Sequence, residues 1–111
     1  MLIENWNVEK FHFEGLVQQT LAGSQEGLKT LQVWLVTLEP GYAAPSFEHF
    51  GEVVSITLKG SGRALVGEQS FDLVPNTTLI IPPHATRQVI NNGTEDLVVL
   101  VIRSLSRLPN E

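Results

Sequence analysis

The sequence contains no cysteine. Disulfides, thiolate metal sites and cysteine nucleophiles are excluded together, and a zinc-finger reading closes with them. Basic charge is scarce as well. Seven Lys and Arg stand against twelve Asp and Glu, for a formal charge of -5. The seven are scattered rather than gathered in a stripe, so nothing offers a footprint to phosphate backbones and nucleic acid is not an expected partner. The acidic balance serves solubility. The N-terminal MLIENWNVEKF carries Glu4 and no apolar core of signal-peptide length. The expectation is therefore a cytoplasmic protein with no membrane partner. Helical patterning is missing too, and a helix of even two turns is hard to place.

What is present is a chain of 111 residues with 42% hydrophobic and 17% charged residues. That is one ordinary globular domain, able to bury roughly two thirds of the surface its unfolded form exposes. Trp6, Phe11 and Phe13 are apolar anchors in an N-terminal arm, 1–15, and alternation turns His12 away from its two phenylalanine neighbours, as a surface or interface histidine. Leu16 to Ala22 reads as a short strand. A glycine-bounded loop, Gly23 to Gly27, then leads into Leu28 to Leu38, where Leu31, Val33, Leu35 and Thr37 share one face and Gln32, Trp34, Val36 and Leu38 the other. Both faces are largely apolar, which predicts burial on both sides.

Pro40-Gly41 ends that strand. Beyond Gly60 the punctuation is regular, with strands at Arg63–Val66, Ser70–Val74, Leu79–Ile81, Ala85–Asn91 and Leu97–Arg103 separated by Gly67, Pro75-Asn76, Pro82-Pro83 and Asn92-Gly93. Short strands with turns every eight to twelve residues predict an all-β sandwich or barrel. No internal repeat is visible, so one barrel is expected.

The stretch from Gly41 to Gly60 and the later one from Asn76 to Asn91 together resemble the two motifs of the cupin superfamily, G-x5-H-x-H-x3,4-E-x6-G and G-x5-P-x-G-x2-H-x3-N. Gly41, Gly60, Pro82 and Asn91 fall at motif spacing, as do Pro40, Pro45, Gly67, Pro83 and Gly93. The resemblance runs from about Leu28 to Ile102. It implies a single-domain double-stranded β-helix of the jelly-roll type, with a barrel core of about 28–103 and a short tail, 104–111. It also implies that the four metal positions fall on Phe47, His49, Val53 and Arg87, and that the opening and internal glycines of the second motif are replaced by Asn76 and His84. Asn tolerates positive φ, so the Asn76 turn can persist.

Of the four donor positions only His49 keeps a donor. A divalent site needs three or more N or O ligands converging at about 2.0–2.2 Å. Phe47 and Val53 donate nothing, and Arg87 brings a permanent positive charge to the place a cation would occupy. No cofactor is expected. A divalent ion such as Fe, Mn, Ni or Zn would have to be held by His49 with Glu48, Glu52 or His84, which requires a costly register slip or a bulge at Gly51.

Arg87, placed inward by the motif, needs acceptors, because a buried unpaired charge costs several kcal/mol. Either Glu52 or another acid of the chain neutralises it, or it receives a ligand carboxylate or phosphate in its two-pronged fork. His49 faces it across the cavity and is the one candidate for catalysis. Phe47 and Val53 supply apolar wall, with Tyr42 and Trp34 as further aromatic wall or core. Ser55 and Thr57 share the inner face with Val53, while Val54, Ile56 and Leu58 point out of the barrel, where a second copy in a twofold dimer would cover them.

The expectation is thus a small barrel that binds a small, anionic organic molecule through His49, Arg87, Phe47, Val53 and Glu52 in a metal-poor or metal-free pocket. Two alternatives stand beside it. One is a cupin-type enzyme using His49, either a metal-dependent dioxygenase or decarboxylase or a metal-independent sugar epimerase or isomerase. The other is a structural homodimeric scaffold. Whether the protein is an enzyme, and what its ligand is, the residues leave open.

Overall fold

The computed structural model describes residues 1–105, and the tail read at 104–111 lies mostly outside that range. Nine strands are described: β1 Phe11–Phe13, β2 Leu16–Ala22, β3 Leu31–Leu38, β4 Val53–Lys59, β5 Gly62–Val66, β6 Gln69–Leu73, β7 Thr77–Ile81, β8 Arg87–Ile90 and β9 Leu97–Ser104. Among the described residues the helical content is two single 3-10 turns, Asn5–Asn7 and Ser24–Glu26. The strands form an antiparallel six-stranded sheet in the order β1-β2-β3-β9-β4-β7 and a three-stranded sheet in the order β6-β5-β8. The architecture is the cupin jelly-roll barrel.

The first of the two sheets reaches beyond 28–103, because β2 pairs along β3 from Leu16↔Leu38 to Ala22↔Val33 and the short β1 pairs with β2. The remainder of the arm lies across β2, where the buried Gln19 side chain donates to the carbonyls of Asn5 and Val8. The second sheet gains a further edge from the loop after β3. Ala43 bridges to Ile90 and Phe47 to Arg87, with hydrogen bonds running both ways between the Phe47 and Arg87 backbones.

Period-two alternation decides what lies between the sheets. Leu38, Val53, Ala64, Val66, Leu73, Ile81, Leu97, Val99 and Val101 form the buried core. On β4 the inner positions are Val53, Ser55 and Thr57, all buried, whereas Val54 and Ile56 are partly buried and Leu58 is exposed. The turns that hold the sheets together are the motif positions. Gly60 has φ of 80°, and a Cβ there would run into the Asp96 carbonyl. Asn91, fully buried, donates through Nδ2 to the carbonyls of Leu38 and Glu95 and accepts from the Gly93 amide, tying the end of β3 to the β8–β9 turn.

Asn76 and His84, which replace the two glycines of the second motif, keep the left-handed backbone of those positions, at φ of 68° and 64°. The fold thus retains the turn geometry where the glycine is gone. The His84 amide donates to the His49 carbonyl, and this docks the Pro82–Ala85 turn on the first motif and delays β8 to Arg87.

Candidate functional site: a cationic barrel cavity

A cavity of about 120 Å³ opens between the sheets. The larger sheet lines it with Leu16, Gln18, Trp34, Val36, Ser55, Ile81, Val99 and Val101, and the smaller side with Ala44, Phe47, Arg87 and Val89 among others. Its walls are aliphatic and aromatic with few polar groups, the usual makeup of a small-molecule site.

Arg87 reaches this cavity because it opens β8 opposite Phe47 in a doubly hydrogen-bonded antiparallel pair, which sets the two side chains next to each other. Its guanidinium carbon lies 4.4 Å from the centre of the Phe47 ring, a cation–π contact. Arg87 is 7% exposed, and among the described residues no carboxylate forms an ion pair with it. Burial, and then the positive charge of Arg103, lower its pKa to about 10, which leaves it protonated at neutral pH.

His49 is buried and is not among the residues that line the cavity, so it does not face Arg87 across it as expected; its ring lies against Phe50 at 4.3 Å between centroids. Its Nε2 is 2.9 Å from the Ser104 carbonyl oxygen. A carbonyl only accepts, so the neutral ring carries its proton on Nε2 and leaves Nδ1 as the acceptor. The contact depends on Gly51, whose missing side chain leaves room for Ser104; a Cβ there would strike the Ser104 hydroxyl. Burial lowers the His49 pKa, the hydrogen bond to Ser104 opposes this, and the charges of Arg103 and Arg87 lower it further.

The other candidates are distributed unevenly. Val53 is buried on the inner face of β4 but belongs to the core and is not among the cavity-lining residues, so it does not supply the apolar wall expected of it. Tyr42 packs on the core beside Gly15 rather than lining the cavity, while Trp34 does line it. Glu48, Glu52 and His84 are all exposed, as is His12. Glu52 precedes β4 and points to solvent because the register stays fixed, with Val53 opposite Ile81 and Arg103. Arg87 accordingly has no counter-charge from Glu52.

Arg103 was not singled out from the sequence. It lies on the inner face of β9 with Leu97, Val99 and Val101, and its guanidinium carbon is 4.2 Å from the centre of the Trp34 ring. The signal was available, since counting by two from Leu97 along LVVLVIR carries the inward face to Arg103.

The donor set does not fit a metal. Among the described residues, no three His, Cys, Asp or Glu converge where an ion could be held. Of the four motif positions only His49 offers a donor, its Nε2 is committed to Ser104, and two guanidiniums act on it electrostatically.

The family model described as "Auxin binding protein" matches residues 2–110. The chain belongs to the auxin-binding protein family. Among curated relatives, auxin-binding protein 1 of Arabidopsis thaliana is 40% identical over 105 residues, covering 86% of this chain and 52% of the relative. Auxin-binding protein T92 of Nicotiana tabacum is 37% identical over 113 residues, covering 91% of this chain and 59% of the relative. This member of the auxin-binding protein family therefore spans between half and three fifths of the length of those relatives. In fold it superposes on the polyketide cyclase RemF of Streptomyces resistomycificus with a TM-score of 0.86 at 15% identity, over 98% of this chain and 82% of that one. A cupin-2 domain protein of Rhodospirillum rubrum gives 0.84 at 21% identity, over 97% and 76%. Both place the auxin-binding protein family member in the cupin fold.

Proposed function

We propose that this chain binds a small organic anion in a metal-free barrel cavity, with Arg87 as its anchor. One observation carries the reading. A buried guanidinium lines the cavity at a motif metal position, laid on Phe47, with no carboxylate of the described chain to neutralise it. A fork of N–H donors held by a ring is preorganised for a carboxylate, and the apolar walls accept the rest of a small molecule. The relatives are named for binding auxin, which belongs among the ligands to be tried. An enzymatic reading through His49 has less support, because Nε2 is occupied by Ser104 and no acid of the described chain joins it.

The test is a thermal-shift screen of auxin and small carboxylates against the wild type and Arg87→Met, on protein purified without a chelating tag. At a hundredfold excess over Kd a ligand adds about 2.7 kcal/mol, a rise in Tm on the order of 10 °C for a domain this size. The rise should vanish in the variant. Equal shifts in both proteins would remove Arg87 as the anchor, and near-stoichiometric Fe, Mn, Ni or Zn by elemental analysis would overturn the metal-free pocket.

The proposed partner is a second copy of the chain, seated on the outer face of the six-stranded sheet. That face carries Val33 and Leu35 of β3, Leu100 and Ile102 of β9, Val54, Ile56 and Leu58 of β4, and Ile80 of β7. Ile80 is 69% exposed and Leu58 49%. Four strands about 4.8 Å apart and some 25 Å long make a platform of the same order as the roughly 800 Å² per partner of a stable interface. Sedimentation should give twice the monomer mass.

A further inference from the structure

Arg87 lines the cavity, and a second guanidinium, that of Arg103, lies against Trp34 of the cavity wall. Arg103 follows Val99 and Val101 on the inner face of β9, and both of those valines line the cavity. Its register partners are Gln32 on β3 and Val53 on β4, and its guanidinium lies on Trp34, itself a lining residue. The two cations therefore stand on separate aromatic platforms, Arg103 on Trp34 of the larger sheet and Arg87 on Phe47 beside the smaller one. Stacking occupies a face of each guanidinium and leaves its edge donors for acceptors.

Those acceptors are missing from the described chain. Arg103 Nε and Trp34 Nε1 are both buried with no hydrogen-bond partner, and neither arginine forms an ion pair with a carboxylate. The charges are also close enough to act on each other, since Arg103 contributes to lowering the pKa of Arg87 and both act on His49. A ligand with one negative charge leaves this pair half neutralised. Arg103 is partly buried, and a cation left without a counter-charge there disfavours a monoanion relative to a dianion.

We infer that the cavity selects a short dicarboxylate, one carboxylate in the Arg87 fork against Phe47 and the other at Arg103 and Trp34. Two platforms on opposite sheets call for two separated acceptor groups, and each planar fork matches a carboxylate. The cavity that Arg87 lines has a volume of about 120 Å³, some four waters' worth, which limits the ligand to a short chain. The inference rests on Arg87 anchoring an anion and adds the second site and the ligand charge.

Calorimetric titration with succinate, butyrate and inorganic phosphate tests it on the wild type, Arg103→Met and Arg87→Met. In the wild type succinate should bind at least tenfold more tightly than butyrate, and more tightly than phosphate. Arg103→Met should bring the succinate-to-butyrate ratio close to one while keeping butyrate affinity within a few-fold. Arg103→Lys keeps the charge without the planar fork and should retain part of the preference; the wild-type ratio decides the matter even if Arg103→Met fails to fold. Equal binding of succinate and butyrate that depends on Arg87 overturns the dicarboxylate and leaves the anchor in place. Tighter binding of phosphate overturns it in favour of two converging arginines. No binding of any of the three by the wild type overturns the dicarboxylate inference, and it removes the anion anchor as well if auxin and the other carboxylates also fail.

Discussion

The two faces of the six-stranded sheet are built from the same strands and do opposite things. On β9 the outward residues are Val98, Leu100 and Ile102, and the inward ones run Leu97, Val99, Val101 and then Arg103. On β4 the outward residues are Val54, Ile56 and Leu58, and the inward ones Val53, Ser55 and Thr57. The polar and cationic groups are thus on the enclosed side, and an aliphatic surface is on the side that this chain's described residues leave partly open. A protein in isolation favours the reverse. The inversion makes sense if the inner face receives a ligand and the outer face another subunit.

The contrast is sharpest for residues of similar size. Leu97, fully buried between the sheets, and Ile80, 69% exposed on the outer face, differ little in volume. Leu97→Ala should cost about 2–5 kcal/mol in urea unfolding, the range for cavity-forming truncations. Ile80→Ala, measured at concentrations where the protein is monomeric, should cost under about 0.5 kcal/mol. Comparable losses at the two positions would mean that the outer face is packed within the monomer. Charge gives the next largest effect. Ile80→Glu or Leu58→Glu should weaken self-association at least tenfold, about 1.4 kcal/mol, by sedimentation equilibrium, with little change in monomer unfolding. An unchanged association constant in both variants would move the interface elsewhere.

This contrast also separates what could be read in advance from what could not. The turns were legible because Gly41, Gly60 and Pro82 act locally, through positive φ or ring geometry, and Asn76 could be placed in a left-handed turn because its side chain tolerates one. Alternation on β4 likewise assigned Ser55 and Thr57 inward and Leu58 outward. Motif spacing brought Phe47 and Arg87 to the cavity, whereas His49, read as facing Arg87 across it, is not among the lining residues. Glu52 points outward because β4 holds its register against Ile81 and Arg103, a pairing with strands far along the chain that its own neighbours do not fix. Arg103 stands at the end of a strand that reads as core, and its role emerges from Trp34 across the sheet. Contacts of that separation leave no local pattern.

The smallest expected effect concerns the cationic inner face through its one group that titrates near neutrality. His49 has a pKa below its ordinary value in the folded protein, first from burial and then from Arg103 and Arg87, with the hydrogen bond to Ser104 opposing. The unfolded chain therefore takes up this proton first as pH falls. Stability is fully present above about pH 6.5, is lost as pH drops through that value toward the folded pKa, and levels off below it. The slope must stay under the one-proton limit of about 1.4 kcal/mol per pH unit, and solvent access to the ring reduces it further. His49→Gln should flatten the urea midpoint between pH 5 and 7 relative to wild type. A saturating anion should flatten the wild-type profile as well, because neutralising Arg87 and Arg103 removes their share of the depression. If the anion leaves the slope untouched, the two guanidiniums do not act on His49, and the inner face is less of a single electrostatic unit than its geometry indicates.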